Sequence, residues 1–247
     1  LPFDVIQFDG YTSVYNRMLK LAYYTKEDLF PEDIGRDRSV SEEMAKNVVR
    51  RQNHFHIQVN LDQLFQSNNK DFKYMDRAHL AKSEYHLKNR NDNYTTFSFV
   101  NVVPLYDTVN RKYMKAIEDE CTRLIKRTEK SRLYTGTTIY NEENDKFFRM
   151  LYTYSGRVVI PSHVFKILFC RDKQKNFLYM WLIKNTLEKQ SQNIKSYLCS
   201  QKQMKAATGM EVFKGIQFSM INYENVHKQK GLLEKDIPNF KRRSLWK

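Results

Sequence analysis

The sequence predicts an α+β domain with strands in the majority. Three observations carry this. Segments rich in β-branched and aromatic residues crowd the stretch from Arg132 to Ile183, one long amphipathic helix precedes them, and no repeat or linker divides the chain. Only 7 Gly and 5 Pro occur in 247 residues, so residues 1–247 read as a single domain.

Taken in order, Ser13–Phe30 reads as strands and chain reversals, with Tyr15, Leu19, Leu21, Tyr23 and Tyr24 as its apolar or β-favouring positions. Ser41-Glu-Glu-Met-Ala-Lys has a cap residue followed by acids and suits a short helix. Residues 50–75 are polar and irregular. In Thr95–Val103, Phe97 and Phe99 alternate with Thr96, Ser98 and Val100, the period of a strand. From about Asn110 to Thr128, Met114, Ile117, Cys121, Leu124 and Ile125 recur at three- and four-residue steps and form the stripe of a helix. Strands follow at Arg132–Tyr140, Phe147–Tyr154, Val158–Ile160, Val164–Cys170 and Phe177–Ile183, with Ser155-Gly156 as a turn. The tail holds a helix at Asn222–Lys230 that ends near Gly231.

Charge narrows the function. Lys and Arg number 42 against 28 Asp and Glu, a net +14, which concentrates polyanions such as nucleic acid, heparin-like glycans or an anionic membrane. The longest apolar run, Phe177–Ile183, falls far short of the ~18 residues a membrane helix needs, and no interfacial helix is visible, so net charge is the sole support for a glycan or membrane partner. Cys121, Cys170 and Cys199 lack zinc-ligand spacing and fit either one disulfide with a free thiol or three free thiols. GxGxxG, P-loop, HExxH and GxSxG motifs are absent.

Four pieces carry chemistry: Asp76-Arg77-Ala78-His79, Asn101 in Phe-Val-Asn-Val-Val-Pro, Asn110 and Glu118. A neutral imidazole can take a proton from water near pH 7. Mg²⁺ prefers oxygen ligands and keeps several waters, so few protein ligands suffice. Singly, each residue has a plainer reading: Arg77 in a surface pair with Asp76 or Glu84, Asn110 as a helix cap, Glu118 as a solvated helix residue, Asn101 as a strand end. In this order and spacing they resemble the DNA/RNA non-specific endonuclease family, the ββα-metal nucleases that include Serratia nuclease, mitochondrial endonuclease G and secreted arthropod nucleases. Tyr134-Thr-Gly-Thr137, Ile160-Pro-Ser-His-Val-Phe-Lys166 and Gly231-Leu-Leu also match, so the similarity runs from about Ser13 to Leu233.

The resemblance implies a ββα-metal fold, a central and mostly antiparallel sheet flanked by helices, with the His on a strand or loop and the metal Asn at the start of the long helix. It implies His79 as general base, Asn110 as ligand of Mg²⁺ (or Mn²⁺), Glu118 acting on the metal through water, Arg77 on phosphate and Asn101 setting the site's geometry. Arg51, Lys82 and Arg123 complete the expected phosphate contacts, Arg51 being chosen over Arg50 on a loose local match. The partners implied are single- and double-stranded DNA and RNA, held through phosphates that carry no sequence information. The family's motif Gly is Ala78 here, and Ala-Pro or Ala-Ala is Ala81-Lys82. Its Gln is Leu105, its helix Trp is Met114, and its Arg four residues after the Glu is Thr122, with Arg123 one place late. If the backbone at Ala78 required a positive φ, a Cβ there would be strained. These departures raise a second reading, a nucleic-acid-binding protein with weak or lost cleavage. His54 and His56 could touch nucleic acid, and His163 reads as structural. The chain opens without Met or a leader pattern and reads as processed, which makes secretion, as in salivary arthropod nucleases, the expected location and mitochondria the second.

Overall fold

The computed structural model describes residues 3–34, 55–87, 90–141, 149–173 and 175–211. The expected helices at Ser41 and at Asn222–Lys230, together with Arg50, Arg51, His54 and the Gly231-Leu-Leu match, lie outside them.

Among the described residues ten strands form three sheets. β1 (Phe3–Gln7), β2 (Tyr11–Asn16), β3 (Leu21–Leu29), β6 (Lys130–Thr138), β9 (His163–Asp172) and β10 (Lys175–Lys184) make one antiparallel sheet in that order. β4 (Asp76–His79) and β5 (Val102–Leu105) pair as a ribbon, and β7 (Leu151–Tyr152) and β8 (Val159–Ile160) as a short hairpin. The hairpin turns at Gly156, whose φ of +70° suits glycine, and Gly156 N–H donates to the Thr153 carbonyl at 2.8 Å.

The large sheet is buried on both faces at β9 and β10, which explains their nearly unbroken apolar runs, while the edge strand β1 is largely exposed. On one face Leu133, Leu168, Tyr179, Trp181 and Ile183 pack with the stripe Ile117, Cys121, Leu124 and Ile125 of the long helix and with the β4–β5 ribbon. On the other, Phe165, Ile167, Leu178 and Met180 meet Cys199 and Met204 around α3 (Gln201–Thr208). Gly136 lies where a Cβ would come within 2.3 Å of the Tyr23 carbonyl oxygen and 2.4 Å of Phe165 Cζ, so the Tyr134-Thr-Gly sequence permits close approach of β3 and β9 across β6.

Two elements differ from expectation: of Phe147–Tyr154, the described residues form a strand only at Leu151–Tyr152, and the other change is larger. Thr95–Val103 is not a continuous strand: α1 (Arg90–Thr95) is followed by turns, a 3₁₀ turn at Phe99–Asn101, and then β5. Polar side chains bend the chain here. Thr95 and Thr96 hydroxyls donate to the carbonyls of Asp92 and Asn93, and Asn101 Nδ2 donates to the Thr96 carbonyl. The two-residue alternation is real, but local side-chain bonds capture the backbone.

The long helix begins before Asn110. Asn110 N–H already donates to the Tyr106 carbonyl at 2.9 Å, and Val109–Met114 is a π-helical turn that runs into α2 (Lys115–Ile125). Lys115 N–H reaches the Asn110 carbonyl, five residues back. Asn110 therefore sits inside the opening turn and not at a cap.

Candidate active site

β4 gives the site its order. Its pleat turns Ala78 into the core, where it is 2% exposed, and sends Arg77 and His79 to the other face. Ala78 is extended and pairs with Val103, and its φ is not positive, so the alanine in the glycine position causes no backbone strain.

His79 ends the strand opposite Val102. Its ring stands edge-on to Phe97 with centroids 4.9 Å apart and lies 5.5 Å from Phe55. Nε2 is buried with no hydrogen-bond partner, although the residue keeps some exposure. Burial, with the nearby Arg77 charge, lowers the imidazole pKa to about 4, so the ring is uncharged at neutral pH. Arg77 stacks on Phe55 at 4.8 Å and donates from Nη1 to Asn69 Oδ1 at 3.3 Å. Among the described residues no carboxylate forms a salt bridge with it, which leaves its positive charge available.

Asp76 opens the strand. Its Oδ2 accepts from Asn110 Nδ2 at 2.9 Å, and Arg111 grips both carboxylate oxygens at 2.8 and 2.6 Å. Burial raises the Asp76 pKa, but the bonds from Arg111 and Asn110 outweigh it and hold the carboxyl ionised, below its ordinary value. An ionised carboxylate only accepts hydrogen bonds, so Asn110 must present its NH₂ to Asp76 and turn its carbonyl Oδ1 away.

Eight residues further, Glu118 lies between two lysines. Oε1 is 3.5 Å from Lys166 Nζ, and Oε2 is 3.9 Å from Lys82 Nζ. In an ideal α-helix eight residues leave two side chains about 80° apart around the axis. The wider π turn removes much of that offset and brings Asn110 and Glu118 towards one face. Lys166 is 0% exposed and also donates to Thr135 Oγ1 at 3.0 Å. Lys82 is bound more closely to Glu84, at 2.8 Å, and lies over the Tyr85 ring.

Asn101 is wholly buried, and its amide is fully occupied: Oδ1 accepts from Ala81 N–H, and Nδ2 donates to the Ala81 and Thr96 carbonyls. Its backbone carbonyl also accepts from Leu80 N–H at 3.0 Å. Asn101 therefore fixes the chain leaving His79 and the turn that carries Phe97. Arg123 forms a fork onto Glu120, and positions 118 and 123 stand about 140° apart on the helix, so it faces away from Glu118. Thr122 hydroxyl meets Tyr85 OH at 2.9 Å.

The sequence thus brings together Asp76 with Asn110, Arg77 with His79, and Glu118 with Lys82. Arg77 links the first two groups, since its charge bears on both Asp76 and His79. Arg111 and Asn185 escaped the sequence reading, and Lys166 entered it only as the end of a matched strand motif. Asn185 Oδ1 accepts from Tyr106 N–H at 3.1 Å, and its Nδ2 reaches the Pro104 and Pro161 carbonyls, pinning the junction between β5 and the helix. A buried lysine in an apolar strand was the one visible signal, at Lys166.

Residues 3–219 match the family described as DNA/RNA non-specific endonuclease. The chain belongs to this family. A crystal structure of the EndoG/EndoGI complex, described as showing the mechanism of EndoG inhibition, superposes with a TM-score of 0.76 at 18% identity, covering 87% of this chain and 89% of that one. At that identity the likeness establishes the fold, which is the ββα-metal nuclease fold. No curated protein matches the chain.

Against the family pattern, Leu105 and Met114, at 0% and 2% exposure, serve the core of this family member. Where the family has an arginine after the helix Glu, this endonuclease-family chain has Thr122. A lysine ammonium, Lys82, instead reaches Glu118 from the loop after His79. Among the described residues no group of three or more His, Cys, Asp or Glu could cage a metal. What fits here is a hydrated hard cation with few protein ligands, and Asn110 Oδ1, oriented by Asp76, is an oxygen donor of that kind. The three thiols are buried and free, with their pKa values raised, so they are poor nucleophiles.

Proposed function

We propose that this protein is a Mg²⁺-dependent endonuclease that hydrolyses phosphodiester bonds in DNA and RNA without regard to sequence. The observation that carries this is the Asp76–Asn110 pair, which gives a nuclease scaffold one oriented amide oxygen at the start of the strand that ends in His79. Bound through Asn110, Mg²⁺ or Mn²⁺ would supply charge neutralisation at the scissile phosphate and the departing O3′.

The chain's residues do the rest. His79 is uncharged and can accept the proton of the attacking water. Nε2 is closed off, so Nδ1 is the nitrogen left to take it. Arg77 neutralises a phosphate oxygen, and its stacking on Phe55 holds the guanidinium in place. Glu118, held by Lys166 and Lys82, would order water beside such a cation. Asn101 positions His79 by holding Leu80 and Ala81. Because these contacts reach only phosphate and sugar, base identity is not read.

The second reading, a nucleic-acid-binding protein that cleaves weakly, is favoured by one observation: Arg123 is committed to Glu120, and no guanidinium stands at Thr122. Digestion of supercoiled plasmid and of RNA separates the two. Wild type with Mg²⁺ should nick both, and His79→Ala or chelation of the metal should abolish it. Tight binding without cleavage by wild type would overturn the enzyme reading.

A further inference from the structure

The turn that leads into β4 carries an exposed aromatic pair. Tyr74 and Tyr154 are 75% and 72% exposed and meet edge to face with ring centroids 5.4 Å apart. Lys73 Nζ lies 4.9 Å from one ring centroid and 4.7 Å from the other. Here the two rings lie together, and a contiguous exposed apolar surface is a mark of an interaction site. Tyr74 also has a φ of +69°, a backbone conformation that a bulky residue adopts only when its surroundings enforce it. That conformation turns the Tyr74 ring outward, just before the strand enters the site.

The pair is tied to the site. Tyr74 precedes Arg77 by three residues and His79 by five, so its Cα lies within about 17 Å of that of His79. Tyr154 sits on the β7–β8 hairpin, and Arg157 of that hairpin donates to Asp71 Oδ2 at 3.4 Å and to the Gln66 carbonyl at 3.3 Å. The hairpin is thereby clamped to the segment that leads into Tyr74. The two aromatics hold a fixed place, with Tyr74 three residues along the chain from Arg77, the proposed phosphate contact.

We infer that Tyr74, Tyr154 and Lys73 form a stacking platform for unpaired bases and make this nuclease favour single-stranded nucleic acid or unpaired segments. An exposed aromatic face accepts any base, so the platform adds affinity without adding sequence specificity. The ammonium between the rings is placed to meet the phosphate of the stacked nucleotide, matching the chain's net +14. Paired bases keep their faces inside the duplex and gain nothing from it. The inference rests on the nucleic-acid reading proposed above, though not on turnover.

The test is equilibrium binding of three fluorescent probes to the full chain, with metal chelated so that nothing is cut: a single strand, its duplex, and the same strand with abasic positions. Tyr74→Gly, which also frees the backbone, combined with Tyr154→Ala should weaken single-strand binding roughly five- to a hundred-fold. Duplex binding should change less than about two-fold. The abasic strand should bind wild type as weakly as the intact strand binds the double variant, and replacing both tyrosines with Trp should keep single-strand preference. Equal losses on single strand and duplex, or none on either, would overturn the platform while leaving the nuclease reading intact. If wild type bound none of the three, the nucleic-acid reading would fail with it.

Discussion

Replacing Asp76 isolates the contribution of the carboxylate that orients Asn110. In Asp76→Ala the amide loses its 2.9 Å acceptor and is free to flip or rotate. A hydrogen bond to a charged acceptor contributes about 1.5–3 kcal/mol net. Each ~1.4 kcal/mol is a factor of ten, so divalent-cation affinity should fall roughly ten- to a hundred-fold, the range for losing a group that holds a metal ligand. The assay is the initial rate of plasmid relaxation against free Mg²⁺. The Mg²⁺ concentration at half-maximal rate should rise by that factor, and the rate at saturation should largely recover. Asp76→Asn keeps an acceptor oxygen and should restore most of the affinity. If Asp76→Ala lowered the saturating rate with the half-maximal concentration unmoved, the reasoning would be wrong, and Asp76 would act on the chemistry instead.

Three further outcomes are expected. Because the His79 pKa is lowered to about 4, the base remains competent as pH falls and is lost only as pH drops through that value, so the acid limb of kcat/KM should lie well below the 6.5 of free imidazole. A limb near 6.5 would show His79 to be solvated or not the base. His86 behaves in the opposite sense. Burial pulls its pKa down, but Asp92 and Glu27, at 3.5 and 2.9 Å, raise it to about 9. The stability this contributes is present below pH 6.5 and lost as pH rises through 9, about 3 kcal/mol by linkage, and His86→Gln should remove that alkaline loss in urea unfolding. Glu118→Ala should destabilise the fold by about 3 kcal/mol, because it strips the wholly buried Lys166 of its counter-charge. Adding Lys166→Met should recover stability without recovering cleavage, and unchanged stability in Glu118→Ala would show that the pair is not coupled.

Much of this was legible in the chain. The stripe from Met114 to Ile125 fixes a helix because only a 3.6-residue period buries those positions together, and the apolar runs of β9 and β10 report a sheet covered on both faces. The order of His79, Asn101, Asn110 and Glu118 pointed to the family. The strand expected at Thr95–Val103 failed because threonine hydroxyls and the Asn101 amide bind nearby carbonyls, which period alone does not reveal. The π turn at Asn110 also leaves no mark on the apolar period. Contacts between distant residues were beyond reach: Asp76 with Asn110 spans 34 positions, and Tyr74 with Tyr154 spans 80. Asn101, expected to set the site's geometry, bonds through its side chain to backbone alone, at Ala81 and Thr96, beside the chain leaving His79.

The proposal that His79 and Asn110 serve one cation can be tested without turnover. With Mn²⁺ in place of Mg²⁺, its unpaired electrons broaden the NMR signals of nearby protons. The imidazole signals of His79 should broaden at the lowest Mn²⁺, ahead of the other imidazoles, and Asn110→Ala should abolish the effect. Sharp His79 signals at Mn²⁺ concentrations that support cleavage would mean that the imidazole and the cation work in different places.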